Sequence, residues 1–125
     1  MIIGVGTDLM EIERIRQSIA RFGQRFLERV FTSREIQYCQ RKKNAAESFA
    51  ARFAAKEAGA KALGTGISQG VGWLELEVAR ERSGKPNLEL SGRAAGRAHS
   101  LGITRITLSL THSHELALAV VIMES

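Results

Sequence analysis

The stretch Ala45-Ala46-Glu47-Ser48-Phe49-Ala50-Ala51-Arg52-Phe53-Ala54-Ala55-Lys56-Glu57-Ala58-Gly59-Ala60-Lys61-Ala62-Leu63 organises the reading of the whole chain. Alanine is the strongest helix former, and the segment predicts a long helix from about Ala45 to Leu63. Phe49, Phe53, Ala60 and Leu63 supply an apolar stripe, and Gly64 and Gly66 punctuate its end. Glu57 and Lys61 stand one turn apart, as do Arg52 and Lys56. On an ordinary helix such charges form a solvated face with a weak ion pair at most. Glu57, however, follows Phe53 by one turn, and small alanines flank it, leaving room beside the carboxylate.

Upstream, residues 2–8 read as a strand with Ile3, Val5 and Thr7 on one face. Gly4, Gly6 and Asp8 share the other face, where something can approach the backbone closely. Ile12, Ile15, Ile19 and Phe22 recur at helical spacing and predict a helix over 10–21, with Arg14 and Arg21 on another of its faces. A short helix over 24–30 follows. Thr32 with Glu35 reads as a capping box that opens a helix to about Arg41.

Downstream, Trp73–Ala79 alternates Leu74, Leu76 and Val78 with Glu75 and Glu77, the pattern of a half-buried strand. Ser83-Gly84-Lys85-Pro86 is a turn leading to a strand near 87–91, and Ser91 is placed to cap a short helix ending near Gly102. Two further strands, Ile103–Thr111 and Glu115–Met123, form a hairpin. Helices segregated from antiparallel strands predict an α+β fold.

With 125 residues, no linker and no repeat, one domain over 1–125 is expected. The hydrophobic fraction of 44% suffices for a core, and 25% charged residues argue against disorder. Lys and Arg outnumber Asp and Glu by 18 to 13, a net charge of +5 that suits an anionic partner without naming one. The seven aromatics (five Phe, one Tyr, one Trp) are scattered, so no base-stacking strand of a nucleic-acid-binding module is visible. The single cysteine, Cys39, excludes an internal disulfide and reads as a buried apolar residue. Met1-Ile2-Ile3-Gly4 has no basic segment leading an apolar one, no run is long enough to span a membrane, and a reducing cytoplasm is expected. Trp73 reads as core or subunit contact, and His112-Ser113-His114 lacks another obvious ligand for a zinc site.

Gly4-Val5-Gly6-Thr7-Asp8-Leu9, followed by Glu11-Ile12-Glu13-Arg14-Ile15, resembles the first motif of the 4′-phosphopantetheinyl transferases. Arg52-Phe53-Ala54-Ala55-Lys56-Glu57-Ala58 resembles the second. Arg29-Val30-Phe31-Thr32 with Glu35, Gly64-Thr65-Gly66, Gly84-Lys85-Pro86 and Ser109-Leu110-Thr111-His112 continue the match in order, and are similar to the short subclass, the holo-acyl-carrier-protein synthases.

The resemblance implies a 4′-phosphopantetheinyl transferase-like fold, an antiparallel sheet packed with one long and several short helices. It implies transfer of phosphopantetheine from coenzyme A to a serine of an acyl carrier protein, with release of 3′,5′-ADP, in support of fatty acid biosynthesis. By resemblance Asp8 and Glu57 bind Mg²⁺, Glu57 helps remove the serine proton, and Lys61 acts beside them. Arg52, Lys56, Lys61 and His112 match positions near the coenzyme phosphates, with Lys42 and Lys43 weaker candidates. Larger members carry a second acid two residues after the first Asp; Met10 stands there in this chain. The short subclass implies a homotrimer with sites between subunits, and Arg14, Arg21 and Arg25 become candidates for docking the acidic carrier. A binder of carrier protein that has lost activity is disfavoured by the presence of both Asp8 and Glu57.

Overall fold

The computed structural model describes residues 1–125. The elements are β1 (Ile2–Glu11), α1 (Ile12–Phe22), α2 (Gln24–Val30), α3 (Ser33–Gln40), α4 (Ala45–Ala62), β2 (Leu76–Arg80), β3 (Pro86–Leu90), α5 (Gly92–Ser100), β4 (Arg105–His112) and β5 (Leu116–Glu124). The α+β class is as the sequence predicts. The strands form two antiparallel sheets: β1-β5-β4, and the separate hairpin β2-β3.

Gly4 and Gly6 explain where α4 sits. A Cβ at Gly4 would overlap the carbonyl oxygen of Ala62, and one at Gly6 that of Ala58. Two strand residues advance about 6.6 Å and four helical residues about 6 Å, so the two repeats stay in step as the elements run in opposite directions. The close approach expected at the glycine face is therefore made by the chain's own central helix.

That helix divides two cores. Ala54, Ala58 and Leu63 pack with Leu76, Leu108 and Val121 on one side. Phe49, Ala50 and Ala51 pack with Ile12, Ile15 and Phe31 on the other. The single apolar stripe expected on α4 is thus a correction: its buried residues go all the way round. Alanine is small enough to admit neighbours from every direction, and any charge on such a helix needs a partner.

Two boundaries differ for the same reason, that tertiary pairing outweighs local pattern. β1 does not stop at Asp8: Leu9, Met10 and Glu11 pair with Leu118, Ala117 and Leu116 of β5, so α1 starts at Ile12. Trp73–Glu75 is a 3-10 turn and the strand begins only at Leu76. Ser91 makes no side-chain cap on α5. Glu75 takes that role, accepting from the backbone N–H of Arg93 at 2.6 Å and of Gly72 at 3.0 Å. These backbone donors hold the Glu75 carboxyl below the usual carboxylate range.

The three-stranded sheet has an open side. Val5 (55% exposed) and Leu9 (59%) point away from α4, with Ile3, Leu116 and Leu118 also exposed. No helix is long and apolar enough to cross a membrane.

Candidate active site

Beyond the two glycines, the inner face of β1 presents Asp8 toward α4. Lys61 donates from Nζ to Asp8 Oδ1 at 3.2 Å and to the Thr7 carbonyl at 3.0 Å. The other carboxylate oxygen of Asp8, Oδ2, is buried with no hydrogen-bond partner. Glu57 stands one turn before Lys61 on the same side of α4. Burial raises its carboxyl pKa, the charge of Asp8 raises it further, and Lys61 opposes both. Two acids that repel each other, one with an orphaned oxygen, form a place that favours a cation. No group of three or more potential metal ligands exists, so the protein offers two carboxylates, a set that fits Mg²⁺ completed by waters and phosphate oxygens.

Lys56 corrects the expectation of a phosphate contact. It is 0% exposed. Its ammonium pairs with Glu35 Oε1 at 2.7 Å and donates to the carbonyls of Trp73 (3.1 Å) and Leu76. Successive residues turn about 100° round a helix, so Lys56 faces α3 and β2 while Glu57 faces β1. Burial lowers its pKa, while the adjacent Glu35 carboxylate holds the proton on. Sequence reading found Glu35 as half of a capping box, which is present, with Thr32 N–H donating to Glu35 Oε1 at 2.8 Å. It missed the second role, in which Oε2 accepts from Val78 N–H at 2.8 Å. The available signal was a lysine on a helix of alanines, which requires a buried acid.

Arg52 does not join the cluster either. Five residues place it about 140° round α4 from Glu57. It is 3% exposed and lies over the Tyr38 ring, its guanidinium carbon 4.2 Å from the centroid. His112, at the end of β4, sits with Nδ1 3.9 Å from Glu47 Oε2. Glu47 precedes Glu57 by ten residues, about 15 Å of helix, so one chain does not bring His112 to the Asp8–Glu57 pair. Arg14, Arg21 and Arg25 are exposed on α1 and α2. Arg25 lines a groove of about 410 Å³ with Ser18, Phe22, Phe26 and Arg29. Arg14 and Arg21 line an adjoining hollow over the same Phe22. Trp73 packs on Phe53 with ring centroids 4.7 Å apart, a core contact, and His114 is exposed.

The fold is one shared with a family of transferases. The chain belongs to the 4′-phosphopantetheinyl transferase superfamily, whose family model matches residues 4–121. It is 54% identical to the holo-[acyl-carrier-protein] synthase of Koribacter versatilis (strain Ellin345), over 99% of this chain and 99% of that one. The crystal structure of holo-[acyl-carrier-protein] synthase from Neisseria meningitidis matches with a TM-score of 0.92 and 34% identity, covering 100% of each chain. That of the Helicobacter pylori holo-[acyl-carrier-protein] synthase, in complex with coenzyme A, matches with a TM-score of 0.85 and 32% identity, covering 96% of this chain and 99% of the other.

Proposed function

We propose that this single-domain protein transfers the 4′-phosphopantetheine group of coenzyme A to a serine of an apo-acyl carrier protein, with Mg²⁺, releasing 3′,5′-ADP and supporting fatty acid biosynthesis in the cytoplasm. The observation that carries the reading is the meeting of Asp8, Glu57 and Lys61 between β1 and α4, in a chain 54% identical to a holo-[acyl-carrier-protein] synthase.

Asp8 and Glu57 would hold Mg²⁺ through the orphaned Oδ2 and the destabilised carboxylate. When bound, the metal supplies Lewis-acid polarisation of pyrophosphate oxygens and offsets developing charge. Glu57, its carboxyl pushed up by burial and by the charge of Asp8, is suited to relieve the serine hydroxyl of its proton. Lys61 has three N–H donors and spends two on Asp8 and Thr7, which leaves one for a phosphate oxygen.

A homotrimer with sites between subunits supplies what one chain lacks. The apolar outer face of β1 and β5 is an exposed surface of the kind that subunits cover. His112, remote from its own chain's carboxylates, would then serve a neighbour's coenzyme phosphates. The arginines around Phe22 offer an acidic carrier both complementary charge and an apolar foothold. A free, buried Cys39, its thiol pushed up to about 11 mainly by burial, is compatible with a reducing compartment.

The test is carrier modification followed by mass spectrometry. With coenzyme A and Mg²⁺, an apo-carrier gains the mass of phosphopantetheine; a reaction run in chelator gives no gain, and the gain appears once Mg²⁺ is restored. No gain on any of several acidic carriers contradicts the reading.

A further inference from the structure

From Phe53 onward, α4 is buried except along one stripe, Phe53, Glu57 and Lys61, each one turn from the next. The site is therefore a slot that runs along the helix. The candidate carrier-docking helix α1 packs against the N-terminal half of α4, on Phe49, Ala50 and Ala51. The opposite end of the slot is bounded by the segment that leaves α4 just after Lys61, residues 64–72.

That segment is neither helix nor strand, yet both of its ends are tied to α5. At the entrance, Arg97 Nε donates to the carbonyl of Leu63, the C-cap of α4, at 3.1 Å, and its guanidinium lies beside Gly64. Arg97 takes part in no salt bridge, so this bond is where its charge is committed. At the exit, the Arg93 side chain lies over Gly70, and Glu75 bridges the N–H groups of Gly72 and Arg93. Gly92, at φ 53°, lies directly against the Glu75 carboxylate, where a Cβ would overlap it. Arg93 and Arg97 stand four residues apart on one face of α5, so the two ends of the segment are held side by side, as in an Ω-loop. Between the ties, Gln69 is the one non-glycine residue at positive φ, 52°. A side chain keeps that conformation only where its surroundings impose it.

We propose that Arg97 and Glu75 are positioning residues, which hold residues 64–72 as a fixed end wall of the slot and so set its affinity for the coenzyme rather than for the carrier. This rests on the function proposed above, with the carrier arriving at the α1 end. Neither residue touches Asp8, Glu57 or Lys61. Arg97 acts through Leu63, which fixes the turn that follows Lys61, and Glu75 acts through Gly72. A wall held in place before the coenzyme arrives spares the ordering cost that a free loop of the same composition would add to binding.

The test compares the full-length wild type with Arg97→Ala and Arg97→Lys. Arg97 is exposed, so both variants keep the fold, which thermal melting checks. Hydrogen exchange reads the tie itself. The amides of Thr65 and Gly66, both bonded to the Ala60 carbonyl, exchange faster in Arg97→Ala and return toward wild type in Arg97→Lys, which keeps a cationic donor. Calorimetry reads the wall: coenzyme A binds Arg97→Ala about tenfold more weakly, the loss of one charge-assisted bond, and Arg97→Lys recovers most of it. In the transfer assay the KM for coenzyme A follows while that for the carrier stays, a split that a merely stabilising tie would not produce. Glu75→Gln, with one acceptor oxygen for two N–H groups, frees the Gly72 amide and raises the same KM. Exchange unchanged in Arg97→Ala, or equal losses for coenzyme and carrier, overturns the proposal. Wild-type protein that binds coenzyme A but modifies no carrier removes the proposed transfer and leaves the wall standing; protein that binds no coenzyme A removes both.

Discussion

Gly6 of β1 lies directly against the carbonyl oxygen of Ala58 of α4, at a distance that leaves no room for a Cβ. The site begins with that contact. It sets the separation of strand and helix, and so decides whether Asp8 and Lys61 meet at 3.2 Å. Gly6→Ala should therefore cost about 1–3 kcal/mol by overpacking. It should also reduce carrier modification beyond what the fraction unfolded explains. Urea denaturation beside an activity assay checks both. A variant with wild-type stability would show that the helix is free to retreat.

The pair Lys56–Glu35 is a clamp among α4, α3 and β2. Removing one partner leaves the other charge buried and unpaired. Lys56→Met or Glu35→Gln alone should each cost on the order of 3–5 kcal/mol, with the double variant recovering part of the loss. Denaturation of the three variants measures it. Single losses below about 1 kcal/mol would mean that the pair behaves like a surface ion pair.

Glu57 gives a prediction with a sign. Its folded-state pKa lies above the unfolded value, through burial and the charge of Asp8. Such a group contributes stability at pH below the ordinary carboxylate range. That contribution is lost as pH rises through the raised folded pKa, where the ion must form in an unfavourable place. In chelator, Glu57→Gln should then melt higher than wild type at neutral pH and converge with it in acid, while losing carrier modification. Thermal melts across pH decide, and a lower neutral melting temperature would contradict the assignment.

On the function proposed above, the exposed arginines act on a different step, the docking of the carrier. Arg14→Glu should raise the KM for the carrier protein about tenfold, alter its salt dependence and leave the KM for coenzyme A in place. Equal losses for both substrates would remove Arg14 from the carrier surface.

The legible parts of this chain were those in which one residue type answers to one local cause. Thr32 and Glu35 announced their capping box, and the alternation of Ile106, Leu108 and Leu110 announced a strand with one buried face. The end of β1 was hidden, because Leu9 to Glu11 fit a helix as readily as a strand until β5 supplies the ladder. The burial of Lys56 and Arg52 was hidden too, since charge at helical spacing reads as solvated unless the helix is known to be enclosed. The pairing of Asp8 with Glu57, 49 residues apart in the chain (57 − 8), came from resemblance. The glycine-to-alanine packing now supplies its physical cause.

The central claim is that Asp8 and Glu57 work as one unit. Its most direct test is the rate of Mg²⁺-dependent carrier modification by Asp8→Asn, Glu57→Gln and the double variant, each confirmed as folded. Residues that act together are strongly non-additive, so each single variant should lose about as much activity as the pair. Losses that multiply in the double variant, or modification that survives both substitutions, would contradict it.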